Sequence, residues 1–339
     1  MSSTTQTPPQ PAAAKPARKG PVKYDKKTYM ALRNFAISMS VFNIIGYSVL
    51  GFEQPYLWPF LALATGYTTE IVLEVIGARF ENRKPRFAGA GPRGVFEFLL
   101  PAHITSLAVN MLIYVNDRVL VMVFAVIFAV SAKWVLRAPV RGRMRHFMNP
   151  SNFGIVAVLV LFPWASIAPP YHFTEATTGF LDWLIPLLII VGGTMINGKL
   201  TGRMWLILGW VGIFALQALV RSWVVDTSLL GGLATMTGTA FILFTNYMIT
   251  DPGTSPSKPW AQFAFGGGTA AMYGLLTGFN IPYGIFFATA LVCGIRGGWL
   301  WALHWANQAR EKAEAQQRAK LSVVPDSGTG AGGREVVAA

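Results

Sequence analysis

Charge is what this chain has least of: 13% of its 339 residues are Asp, Glu, Lys or Arg, against 53% hydrophobic. The surface of a water-soluble domain grows with its size, and so few charges cannot coat one of this length. Cysteine is nearly lacking as well. Cys293 stands by itself inside an apolar run, which excludes a disulfide framework and a cysteine metal site. The four histidines, His103, His146, His172 and His304, are too few and too scattered to suggest a metal cluster. The first 30 residues are polar and rich in Pro, Ala and Lys, without the apolar core of a cleavable signal.

What the chain does have is one long apolar run after another, with a mean hydropathy of +0.44. A helix needs about 20 apolar residues to cross the hydrocarbon layer, because every backbone polar group must be paired within the segment. That criterion predicts about ten spans, near 35–52, 56–77, 95–115, 119–136, 152–168, 180–197, 203–223, 229–249, 260–278 and 282–305. The expected fold is all-α, a polytopic membrane helix bundle. Residues 1–34 read as a disordered basic tail, 35–305 as the transmembrane domain and 306–339 as a C-terminal tail that opens with a helix-like stretch over 308–320.

The net charge of +13 is distributed in a way that argues against nucleic acid. Lys and Arg gather in the tails and in every second loop: Arg79 to Arg93, Arg137 to Arg145, Lys199 and Arg203, Lys258, and Arg310 with Lys312. That alternation orients a membrane protein, with the basic side and both termini cytoplasmic, and requires an even number of spans. Ten is twice five, and five is odd, so a duplicated half would lie inverted in the membrane. The similar segments Asn110-Met111-Leu112-Ile113 and Asn246-Tyr247-Met248-Ile249 are a faint trace of such a repeat.

Three polar segments could carry chemistry. His146-Phe147-Met148-Asn149-Pro150-Ser151-Asn152 reads either as a cap for the fifth span, with Ser151 or Asn152 as the capping residue, or as a polar re-entry whose helix end faces an anionic or electron-rich ring. Asn246 to Pro256, with Thr250-Asp251-Pro252 at its centre, reads as a helix stop or as a stiff hydrogen-bonding loop. Thr174-Glu175-Ala176-Thr177 precedes the sixth span on the opposite side, as a cap or as a point of flavin attachment. Within the spans, Glu70 and Glu74 lie one turn apart, with Lys133, Arg296 and His103 as candidate partners, either as a structural ion pair or as a proton or cation path.

At these segments the chain resembles the NqrB/RnfD family of membrane subunits of ion-linked, flavin-containing oxidoreductase complexes. Gly238-Thr239-Ala240 running into Met248-Ile249-Thr250-Asp251-Pro252 is similar to the family's glycine-bearing helix and Met-x-Thr-Asp-Pro loop. His146 to Pro150 resembles its His-x-x-Asn-Pro segment, and Asn149-Pro150-Ser151-Asn152-Phe153-Gly154 looks closest to the UnbU-like branch found with enediyne biosynthesis genes. The resemblance implies a bacterial cytoplasmic-membrane location and an electron-transport role beside other subunits of a redox complex. It also implies a bound flavin, either FMN or riboflavin. Asn149, Ser151, Asn152, Thr250 and Asp251 would supply its polar contacts, and Phe147, Phe153 and Tyr247 its walls. Thr177 occupies the family's covalent attachment position, but Thr174-Glu175 stands where the family has Ser-Gly, so the expected flavin is non-covalent. The alternative is a flavin-free transporter or exporter on the same scaffold, serving enediyne biosynthesis or resistance.

Overall fold

The computed structural model describes residues 24–140 and 142–322. Helix dominates, as an all-α membrane bundle requires. The first half contains α1 (Lys26–Ser48), α2 (Trp58–Phe80), α3 (Gly91–Leu112), α4 (Val119–Val135) and α5 (Pro150–Leu161). The second contains α6 (Phe180–Met195), α7 (Met204–Val224), α8 (Leu229–Ala234), α9 (Thr239–Leu243), α10 (Pro259–Gly278) and α11 (Gly284–Ser322). Among the described residues, five stretches are long and apolar enough to cross a bilayer, and α8 with α9 makes a sixth if that bent pair counts as one. Helix occupies all the predicted stretches, but α4 and α5 are short. At about 1.5 Å per residue, the 12 residues of α5 reach only about 18 Å. The predicted fifth span, 152–168, therefore ends as helix at Leu161, because Phe162 precedes Pro163 and is pushed away from α conformation.

Two further boundaries differ from the sequence reading. The helix of α1 starts at Lys26, capped by the Asp25 carboxylate on the Thr28 N–H, so the later part of the presumed tail is ordered; residues 1–23 lie outside the described residues. At the other end α11 runs unbroken through the helix-like stretch to Ser322, and the rest of the C-terminal tail lies outside the described residues.

The basic loop after α4 is a β-hairpin, β1 (Arg137–Val140) against β2 (Arg143–His146), turning at Gly142 with φ +75. On the far face, Ile113–Tyr114 after α3 pairs with Ser166–Ile167 after α5 and ties the ends of these helices together. Helices α2 and α4, and likewise α7 and α10, pack side by side. The second pair meets most closely, since a Cβ on Gly266 would stand 2.3 Å from the Leu206 carbonyl oxygen and one on Gly209 equally near that of Phe263. Small residues let membrane helices approach to backbone contact, where dispersion and weak polar contacts hold them.

The eighth stretch is broken, and its partners explain why. Gly238 is extended (ψ 139), and the Pro170 carbonyl, from the loop after α5, accepts from the Ala240 N–H at 2.9 Å and the Thr239 hydroxyl at 3.1 Å. The two pieces bend by 64°. Below the break, Phe244–Met248 widens into a π turn, and α6 ends in another, Ile196–Thr201. Such turns free carbonyls for side-chain donors. Asn197 Nδ2 donates to the Asn246 carbonyl at 2.7 Å, and Trp210 Nε1 to the Thr245 hydroxyl at 2.9 Å.

The crossing of α7 and α10 gives the first prediction. Gly266→Val forces backbone apart, so it should lie at or beyond the upper end of the roughly 1–3 kcal/mol usual for overpacking. Gly268→Val, whose Cβ meets nothing within 4 Å, should be near neutral. Melting temperature in detergent checks both; equal losses would contradict the packing.

Candidate functional site

Two cavities lie between the halves. The apolar one, about 370 Å³, is walled by Phe241, Phe244, Tyr247, Tyr273, Tyr283 and Phe286, with Met39, Met111 and Met248. Its volume falls within the roughly 300–1,000 Å³ typical of small-molecule sites. One end reaches Ser151; the other reaches Pro169 and Pro170 of the loop after α5 and Thr235 of the short helical turn between α8 and α9. The second cavity, about 420 Å³, is a vestibule of mixed character at the basic face, where Leu32, Phe35 and Ile104 line the space together with Lys133, Arg145, His146, Asn149, Ser151, Thr201 and Asp251. Ser151 lines both. Beside it Phe35 of the vestibule meets Tyr247 of the apolar cavity edge to face, with ring centroids 5.6 Å apart.

Asn149, rather than the expected Ser151 or Asn152, is the cap of α5, and it also ties α5 to the second half. Its Oδ1 caps α5 by accepting from the Asn152 N–H at 3.0 Å, and also accepts from the Ser151 hydroxyl. Its Nδ2 reaches across the bundle to the Met248 carbonyl at 2.9 Å, at the end of the π turn. Pro150, next in line, is at home in the first helical turn, where no backbone donor is needed. Asn149 and Asp251, distant in sequence, thus stand on one wall.

Asp251 closes its own loop: its Oδ1 accepts from the Gly253 N–H at 2.9 Å and its Oδ2 from the Thr254 hydroxyl at 3.2 Å, while His146 Nε2 stands 3.7 Å away. Burial raises the pKa of this carboxyl, but His146, the Gly253 N–H and Thr254 together outweigh it and leave the group below the ordinary carboxylate range.

The other predicted residues divide. Asn152 is fully buried; its Nδ2 donates to the Phe286 carbonyl at 3.0 Å, and its Oδ1 has no partner among the described residues. The Thr250 hydroxyl donates to the Asn246 carbonyl at 2.8 Å, a structural bond within the π turn. Of the predicted walls, Tyr247 lines the apolar cavity. Phe147 instead packs against Gly297 and Phe153 stacks toward Phe128, and neither lines these cavities. Thr177 lines neither cavity. It precedes α6, whose 22 residues including the π turn carry Thr201 to the vestibule, so about 33 Å of helix separates the two. Its hydroxyl donates to the Thr174 carbonyl and the Asp182 carboxylate.

The carboxylates on α2 serve different ends. Glu74, fully buried, holds both Arg83 and Arg86, accepts the Arg86 N–H at 2.8 Å and so clamps the loop before α3. Glu70 takes one of its predicted partners: Lys133 Nζ of α4 stands 2.8 Å from its Oε2, with Lys133 on the vestibule wall. His103 instead bonds Ser40 and Tyr67, and Arg296 donates to the Thr254 carbonyl at 2.7 Å. Sequence reasoning named Lys133 as a charge partner but missed it as a cavity residue. It also missed Tyr273, Tyr283 and Phe286, for which an aromatic among many in apolar helices gives no signal.

No protein-family model matches the chain, and no curated protein matches it in sequence.

The tie between the two segments gives a second prediction. Asn149→Ala should cost about 0.5–2 kcal/mol through the lost cap, and more because the Met248 carbonyl loses its donor. Combined with Asp251→Ala, the losses should be non-additive in a double-mutant cycle, as for residues sharing one wall. Because the folded pKa of Asp251 is depressed, its contribution is present at neutral pH and lost as the pH falls through that folded value. Asp251→Asn should therefore blunt the acid loss of melting temperature, and an unchanged acid limb would contradict the assignment.

Proposed function

We propose that this chain is an integral-membrane electron-transport subunit of the NqrB/RnfD kind, its UnbU-like branch included, which holds a flavin non-covalently between its halves. The observation that carries this reading is the aromatic cavity of ring-binding size beside a vestibule that bears Lys133 and Arg145, with Ser151 lining both. The residues fit such a group: Tyr247, Tyr283 and Phe286 offer flat walls, and the Asn152 Nδ2 holds the Phe286 carbonyl in place. A bound flavin would supply one- and two-electron transfer, while the protein orients it, tunes it and keeps water from the ring.

Under the same proposal the chain makes ten passes of a bacterial cytoplasmic membrane, the short α5 completed by the extended segment that pairs Ser166–Ile167 with Ile113–Tyr114, with both termini on the cytoplasmic side and the two halves inverted. Packing supports the repeat. In the first half α1 lies beside α3, α2 beside α4 and α4 beside α5; in the second, α6 lies beside α9, α7 beside α10 and α10 beside α11. The amide of Asn43 in α1 reaches the Leu107 carbonyl of α3, as that of Asn197 after α6 reaches the Asn246 carbonyl. Other subunits of a redox complex would pass the electrons on. A transporter on the same scaffold is the second reading, favoured by two cavities that approach opposite faces and share one residue.

Protein purified in detergent should show flavin absorption near about 450 nm, a property of the cofactor. Denaturation should release all of the chromophore, because Thr177 carries no bond to it, and Thr177→Ala should keep full occupancy. Ser151→Phe should fill the junction and cut occupancy severely. A colourless wild type favours the transporter; a fluorescent band that survives denaturing gels and vanishes in Thr177→Ala contradicts the non-covalent reading.

A further inference from the structure

The vestibule is charged out of proportion to its acids. Among the groups on its wall, Lys133 is matched by Glu70 and His146 by Asp251, but Arg145 has no carboxylate partner among the described residues. Behind the wall stand Arg203 and Arg296. Arg203 is nine-tenths buried, donates to the Pro252 carbonyl at 3.4 Å and feels the Asp251 carboxylate only at longer range, while its Nε has no hydrogen-bond partner among the described residues. Arg296 donates to the Thr254 carbonyl and to no carboxylate. Neutral carbonyls satisfy guanidinium donors but leave the positive charge uncancelled, and buried charge without a counter-ion is costly.

Lys133 is unfinished in the same sense. Its ammonium has three donors, and apart from the Glu70 contact it makes no hydrogen bond although it is nearly buried. A dry ion pair of this kind gains from a further acceptor. The amino end of α5 adds to the field, since Pro150 and Ser151 line the vestibule and the positive end of a 12-residue helix points there. Lysine, arginine and a helix start thus converge on a cavity that shares Ser151 as a lining residue with the aromatic one.

We infer that the vestibule is an anion subsite, and that the molecule held between the halves is a flat aromatic ring carrying a phosphate-bearing arm, with Lys133 and Arg145 as the cationic walls for the phosphate. The ring occupies the apolar cavity and the arm passes Ser151 toward the basic face. Recognition of the ring rests on the flavin reading above; recognition of the phosphate does not, because it follows from the charges of the vestibule.

FMN and riboflavin share one ring and differ by a phosphate, so their titration against the detergent-purified protein at fixed ionic strength isolates the arm. FMN should bind about tenfold or more tighter than riboflavin. Arg145→Gln, an exposed change that spares the core, should shrink the preference several-fold through weaker FMN binding, with riboflavin unchanged. The double variant Lys133→Gln/Glu70→Gln removes both buried charges together, leaves neither partner stranded, and should shrink the preference further. Equal affinity for the two flavins in the wild type, or a preference that survives both variants, overturns the inference. If neither flavin binds, phenyl phosphate decides. A rise in melting temperature with phenyl phosphate, seen in the wild type and lost in Arg145→Gln, keeps the anion subsite while the flavin reading falls. No rise in the wild type removes both.

Discussion

The hydrogen bond from Asn149 to the Met248 carbonyl is the contact on which the rest of this architecture turns. A helix that breaks or widens inside a membrane leaves backbone groups that water cannot reach, and each must be satisfied by protein. Here the freed groups of the second half are answered by side chains and carbonyls from elsewhere: Met248 by Asn149, Asn246 by Asn197, and the start of α9 by Pro170. Two of these three bonds cross between the halves. The breaks consequently hold the halves together, and the cavities lie where regular helix packing has been given up.

The same economy of charge runs through the ionisable groups. Glu74 is fully spent on the loop before α3, with Arg83 and Arg86 both engaged, and has nothing left to offer a passing ion. Glu70, one turn deeper, is paired with Lys133, which lines the vestibule and has no other side-chain partner among the described residues. Two acids on one helix face, of the same type and one turn apart, are thus separated in role by the number of donors around them.

Much of the bundle was legible in the sequence because the period and length of apolar runs are set by the bilayer itself. The starts and stops that proline and asparagine write locally were legible too, as at Asn149-Pro150. The basic hairpin at Arg137–His146 was not, since its strands are four residues each and read as loop. Nor were the π turns, which depend on donors from other helices, or the premature end of α5, where Phe162-Pro163 interrupts a run that is apolar throughout. Of the candidate site residues, Asn149, Ser151 and Asp251 meet on one wall because the halves meet there. The Thr250 hydroxyl and the Asn152 Nδ2 are taken up by backbone carbonyls, and Thr177 belongs to the far face. Sequence identifies polar residues that have no reason to sit in lipid; only the packing tells which of them face space and which face a carbonyl.

The central claim, that the two cavities join at Ser151 and hold a ligand there, can be tested through the chain's lone, fully buried cysteine. Replacing Cys293 by Ala and Ser151 by Cys places a single thiol at the junction. In membrane vesicles, a small anionic, membrane-impermeant thiol reagent applied from the basic face should modify position 151, and added FMN should protect it. A thiol at 151 that never reacts, or that reacts at the same rate with and without FMN, would contradict the account.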